Sequence, residues 1–100
     1  MAKIKLGSVN DVKEGQGKVV NVKERKFALF KKGGKFYVMD NTCLHRGGPI
    51  GKGKLNGGIV TCPWHGWQYD IITGECKTTQ GMKLKTYPVT VKGEDIFIDA

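Results

Sequence analysis

CLHRGGPIGKGKLNGGIVTCPWH, residues 43–65, holds both histidines of this 100-residue chain and two of its three cysteines. They fall as Cys43-x-His45 and, after sixteen intervening residues, Cys62-x-x-His65. Two thiolates and two imidazoles from two short loops are enough to hold a metal centre. Tetrahedral zinc accepts such a set, although structural zinc sites commonly keep a Cys-x-x-Cys pair on one loop and the histidines on another. Here each loop supplies one donor of each kind. That mixing suits a centre of two metal ions, one taking a cysteine from each loop and the other a histidine from each.

The residues around the donors fit a backbone wrapped closely on a bound group. Gly47, Gly48, Gly51, Gly53, Gly57, Gly58 and Gly66 crowd the same stretch together with Pro49 and Pro63. Backbone without Cβ can approach a cofactor and turn its N–H groups inward. The third cysteine, Cys76, fits no ligand position and reads as a small, semi-buried side chain.

Outside this stretch, short alternating or β-branched runs separated by glycine turns predict antiparallel strands. The expected strands are Ile4 to Leu6, Lys18 to Val22, Lys26 to Phe30, Lys35 to Met39, Ile59 to Thr61, Trp67 to Asp70, Lys83 to Val91 and Asp95 to Ile98. Lys32-Gly33-Gly34, Asn56-Gly57 and Lys92-Gly93-Glu94 read as hairpin turns, because glycine supplies the positive φ that tight hairpins require. Helix signals are weak. The pattern is an all-β meander whose sheets pack face to face. A chain of this length holds one compact core, so residues 1–100 are expected to form a single domain with its donor loops within 41–70.

Hydrophobic residues at 39% and charged residues at 26% are ordinary for a folded domain. Apolar runs such as Phe27 to Phe30 are far shorter than the roughly 20 residues that span a bilayer. The N-terminus has basic residues but no apolar signal core. Cytosolic thiols are kept reduced, and three cysteines cannot all pair with one another. These readings place the chain in the cytoplasm with no membrane association. Seventeen Lys and Arg against nine Asp and Glu give a net charge of +8, which favours an acidic partner. The basic residues are spread along the chain, and only Arg25 and Arg46 are arginines. Nucleic-acid readers use arginine for bidentate contacts, so nucleic-acid binding is not expected.

The two loops, Cys43-Leu44-His45-Arg46-Gly47-Gly48-Pro49-Ile50 and Cys62-Pro63-Trp64-His65-Gly66-Trp67-Gln68-Tyr69-Asp70, resemble the cluster loops of the Rieske [2Fe-2S] family, specifically its soluble, low-potential dioxygenase ferredoxins. Leu84-Lys85-Thr86-Tyr87-Pro88-Val89 resembles that family's returning strand. The resemblance implies a small antiparallel β-sandwich of the Rieske iron–sulfur protein type with a rubredoxin-like cluster-binding subdomain. It also implies a [2Fe-2S] cluster, with Cys43 and Cys62 on the buried iron and His45 and His65 on the outer one. Leu44, Gly47, Trp64, Gly66, Trp67 and Tyr69 would surround it, with Tyr69 donating a hydrogen bond to a ligand cysteine, Trp67 shielding the centre and Trp64 available for docking.

With two thiolate ligands the oxidised centre is neutral, so reduction adds a single negative charge. This is why histidine ligation lifts the potential to between about −150 and +300 mV, against about −400 mV for all-cysteine plant-type clusters. High-potential members carry an extra cysteine pair and a serine hydroxyl near the sulfurs, whereas the corresponding positions here are Gly48, Trp64 and Trp67. The expected potential is therefore at the low end. The chain departs from the family in lacking a proline in Lys77-Thr78-Thr79-Gln80-Gly81-Met82, where members usually have a proline-bearing loop over the cluster.

The implied function is one-electron transfer from a flavin-containing reductase to a terminal oxygenase or other oxidoreductase, the partner carrying an acidic docking patch; it is not an enzyme in its own right. Both histidines are committed to the cluster, which leaves none for a 2-His-1-carboxylate oxygenase iron. The alternative is a small Rieske subunit fixed in an enzyme complex such as nitrite reductase.

Overall fold

Arg25–Lys32, RKFALFKK, organises the molecule (β3). Its Phe27, Ala28, Leu29 and Phe30 are all fully buried, although strand side chains alternate between faces. A run of four apolar residues satisfies both faces of a strand that is covered on both sides. Phe27 and Leu29 enter one core, and Ala28 and Phe30 enter another. The computed structural model describes residues 3–44, 47–64 and 66–100.

β3 pairs antiparallel with Gln16–Val22 (β2) and with Lys35–Asp40 (β4). The β3–β4 connection is the two-residue loop Gly33-Gly34, with φ of 62° and 76°. Two successive positive φ values define a type I′ hairpin, whose twist matches that of its strands. Lys3–Ser8 (β1), Val89–Lys92 (β9) and Asp95–Asp99 (β10) form a three-stranded sheet in the order β1-β10-β9. It packs on one face of β2-β3-β4, burying Leu6, Val20, Phe27, Leu29, Val38, Ile96 and Ile98 between the sheets. On the opposite face Lys54–Asn56 (β5), Ile59–Thr61 (β6) and Gln68–Asp70 (β7) form a small sheet in chain order. Ala28, Phe30, Met39, Ile50, Val60, Tyr69 and Ile71 form this second core, and Cys43, Cys62 and Cys76 belong to it.

Two strand expectations are corrected. Lys83 to Val91 is not one strand: Thr86–Tyr87 (β8) joins the edge of β4, whereas β9 begins at Val89 in the other sheet. Pro88 has no N–H to continue a ladder, so the chain changes sheets there. β5 was missed, since Lys54-Leu55-Asn56 is short and polar; its pairing with β6 across the expected Asn56-Gly57 turn makes it a strand. The described residues also contain two single-turn 3-10 segments, Val9–Asp11 and Ile50–Lys52. No helix among them is long and apolar enough to cross a membrane.

Candidate metal centre

The first donor segment leaves β4 at Asp40 and is closed by its own backbone. Cys43 N–H donates to Gly48 O (3.0 Å) and Gly47 N–H to Cys43 O (2.8 Å). Asn41 fastens this turn to the Ile50–Lys52 segment: its carbonyl accepts from Ile50 N–H and its side-chain Oδ1 from Gly51 N–H, each at 2.8 Å. Asn41 is 4% exposed, the one buried polar side chain among the described residues. Sequence reasoning missed it, because its side chain bonds an amide ten residues away, a contact that no local pattern displays.

The second segment runs from β6 to β7, and Cys62 N–H donates to Trp67 O (2.7 Å). Both sulfur-bearing residues are buried, Cys43 at 2% and Cys62 at 1% exposure, and neither is in a disulfide. Burial pushes the Cys62 thiol up, the Trp64 backbone amide opposes this, and a hydrogen bond with the Cys43 side chain adds to the rise. The two thiols are thus neighbours. The space beside them exists because residue 48 has no side chain: a Cβ there would lie 2.7 Å from Cys62 Sγ and 2.9 Å from Trp64 Cγ.

Tyr69, fully buried on β7, joins the two segments. Its Oη lies 3.3 Å from Cys43 Sγ and accepts from Leu44 N–H at 3.1 Å. With Leu44 donating, the phenol hydrogen is left for the sulfur. Burial, followed by the Cys43 hydrogen bond, holds the phenol well above its usual range, so it stays protonated and able to donate.

Trp67 is half-buried and packs on the core that contains Cys43 and Cys62. Trp64 and Leu44 face outward, 51% and 42% exposed, and Gly47 and Gly66 lie at the surface of their turns with φ of 73° and 76°. Lys52 and Lys54 are exposed nearby in sequence. His45, Arg46 and His65 lie outside the described residues. Cys76 is buried on the far side of Tyr69, where its Sγ accepts from Thr79 N–H at 3.4 Å.

Two dry, adjacent sulfurs met by a phenol and a backbone amide, with a glycine keeping the space beside them clear, are a donor set that fits an iron–sulfur cluster. Thiolates are the ligands such clusters require, and hydrogen bonds to sulfur tune them.

The chain is similar to human apoptosis-inducing factor 3, 34% identical over 93 residues, which cover 92% of this chain but only 15% of that much longer relative. The ferredoxin component of the naphthalene 1,2-dioxygenase system of Pseudomonas aeruginosa is 34% identical over 92 residues, covering 89% of this chain and 86% of the relative. Among solved structures, the Sphingomonas yanoikuyae B1 ferredoxin superposes with a TM-score of 0.90 at 34% identity, over 99% of both chains. A chain from a complex of reduced oxygenase and oxidized ferredoxin in carbazole 1,9a-dioxygenase superposes at 0.85 with 26% identity, over 96% of this chain and 91% of that one. Since residues 2–88 match the Rieske [2Fe-2S] domain and the relatives of similar length are ferredoxin components, the chain belongs to the Rieske [2Fe-2S] family and carries a [2Fe-2S] cluster as its cofactor.

Proposed function

We propose that residues 1–100 act as one cytoplasmic domain that takes single electrons from a flavin-containing reductase and delivers them to a terminal oxygenase. The observation that carries this reading is the meeting of the Cys43 and Cys62 thiols under Gly48, with Tyr69 Oη on the Cys43 sulfur. Cys43 and Cys62 would hold one iron, and His45 and His65 the other. When bound, the cluster supplies a site that gains and loses one electron.

The chain's own residues do the rest. Tyr69 donates toward Cys43 and so favours the more negative, reduced state. Leu44 N–H, by donating to the same Oη, fixes the direction of that phenol. Trp67 shields the thiols from water, whereas Trp64 and Leu44 present apolar area to a docking partner. A pair of exposed large apolar side chains beside a redox centre is the kind of patch that marks an interaction site. The net charge of +8 selects a partner with an acidic docking patch and speeds encounter with it.

A solved complex of reduced oxygenase with oxidized ferredoxin, in a system whose matched chain is 26% identical, supports the oxygenase as acceptor. The test is anaerobic purification followed by iron and sulfide analysis and EPR of the dithionite-reduced protein. The expected result is two irons and two sulfides per chain and a mixed-valence signal, with a midpoint at the low end of the Rieske range of about −150 to +300 mV. A preparation that never holds inorganic sulfide refutes the reading. Reduction by the partner should slow as salt is added, because the steering charges are exposed; a salt-independent rate refutes the acidic patch.

A further inference from the structure

The segment from Glu75 to Met82, which lacks the proline expected of a cluster-covering loop, is held down by a different device. It runs antiparallel along the outer edge of β7: Asp70 N–H donates to Glu75 O (2.9 Å), Tyr69 bridges Cys76, and Lys77 N–H donates to Gln68 O (2.7 Å). The remaining outward group of Gln68, its N–H, is met by a side chain, donating to Thr78 Oγ1 at 2.9 Å. Every one of these bonds but the last is made by main chain and does not depend on which side chain is present, proline apart.

The last bond adjoins residues that hold the thiols. Gln68 shares a peptide with Trp67, whose carbonyl holds Cys62 N–H, and Gln68 precedes Tyr69, whose phenol meets Cys43. Beyond Thr78, Thr79 N–H turns back to Cys76 Sγ, Cys76 N–H closes on Met82 O, and Met82 packs on the core that includes Cys43 and Cys62. A proline would restrict such a loop through its ring. Here a hydroxyl does so by satisfying a sheet-edge amide that would otherwise face water.

We infer that Thr78 is a positioning residue: it clamps the cover segment onto the Trp67–Gln68 peptide and thereby sets how far water reaches the cluster. This rests on the cluster reading given above.

The test compares Thr78→Val, which keeps the shape and removes the acceptor, with Thr78→Ser, which restores it, both in the cluster-loaded full chain. Three quantities are read: amide exchange at Gln68, the bleaching rate of the visible absorbance in air, and the midpoint potential. Loss of one such bond should speed Gln68 exchange about three- to tenfold in Thr78→Val. Bleaching should quicken, and the potential should rise as water stabilises the reduced charge. Thr78→Ser should behave as wild type in all three. Faster Gln68 exchange with unchanged bleaching and potential would reduce Thr78 to a local turn former and overturn the inference, as would a Thr78→Val protein identical to wild type throughout. A wild-type chain that binds no iron or sulfide is a separate result, against the cluster reading; Gln68 exchange in the two variants still reads the clamp itself.

Discussion

Adding one methyl group at residue 48 should expel the two sulfurs from their present arrangement. Gly48 is buried, and its φ does not lie in the left-handed region, so alanine meets no backbone penalty there. All of the cost is steric. The new Cβ would sit 2.7 Å from Cys62 Sγ, 2.9 Å from Trp64 Cγ and 3.0 Å from Trp64 Cβ. Carbon contacts are optimal at about 3.5–4.0 Å, so the neighbours must retreat by roughly 1 Å. Trp64 is 51% exposed and can swing outward, but Cys62 is 1% exposed and its N–H is tied to Trp67 O. Overpacking of this kind costs about 1–3 kcal/mol. For a domain of this size that is about 5–15 °C in Tm.

Gly47→Ala is the matched control. It adds the same methyl where the nearest atom is 3.8 Å away, but at φ 73°, so it carries a left-handed penalty of about 1–2 kcal/mol and no clash with sulfur. Both variants should melt lower than wild type by circular dichroism. Only Gly48→Ala should also lose iron and sulfide on purification or shift the visible spectrum. Equal cluster content and spectra in Gly48→Ala and wild type would refute the claim that residue 48 is glycine to clear the thiols.

Three further outcomes follow from the same structure. Tyr69→Phe removes the donor to Cys43 Sγ and strands Leu44 N–H; a loss of roughly 1 kcal/mol specific to the reduced state lowers the midpoint by about 40 mV in a one-electron redox titration, and an unchanged midpoint would show that the phenol does not discriminate the two states. Glu14 accepts Gly34 N–H (2.9 Å) and Gly33 N–H (2.6 Å) across the β3–β4 hairpin, and those bonds, the Gly34 one foremost and then the Lys31 and Lys32 charges, hold its carboxyl below the usual range. Its contribution is therefore present above the unfolded carboxylate pKa of about 4.3 and fades as pH falls through the lower folded value, so the Tm gap between wild type and Glu14→Gln, measured from pH 7 to pH 2, should narrow in acid; a gap that widens contradicts the sign. Asn41→Leu leaves the buried Gly51 N–H without its acceptor and should cost about 1–3 kcal/mol in urea unfolding, with faster loss of the cluster; a stability equal to wild type would remove Asn41 from the scaffold.

The candidate donors could be named because spacing carries their chemistry: Cys-x-His and Cys-x-x-His can be read without any knowledge of where the strands lie, and of the four the structure describes Cys43 and Cys62, as buried neighbours. The Gly33-Gly34 hairpin was legible for the same reason, since only a few residue types accept two positive φ values in succession. Two kinds of feature were hidden. β5 and the division at Pro88 depend on pairing partners distant in sequence, and a three-residue strand has no periodicity of its own to display. The side chains of Asn41 and Thr78 each make a single hydrogen bond to a backbone amide, Gly51 and Gln68, of a kind open to any loop asparagine or threonine.

The architecture explains why so small a chain can hold its site firmly. Strand β3 is shared by two cores: Phe27 and Leu29 anchor it in the sandwich, and Ala28 and Phe30 form a wall of the core that includes Cys43 and Cys62. Burying a Phe or Leu side chain contributes about 1.5–3 kcal/mol, so the sandwich face fixes β3 without drawing on the donor loops. Those loops can then be rich in glycine, because β3 and β4 hold the wall on which their Cys43, Ile50 and Cys62 pack. The β1-β10-β9 sheet, which contributes no residue to the second core, thereby acts on the site through the strand it clamps. A cavity in the sandwich at Leu29 should for that reason loosen the thiol core as well, and the opposite face of the same strand is the path.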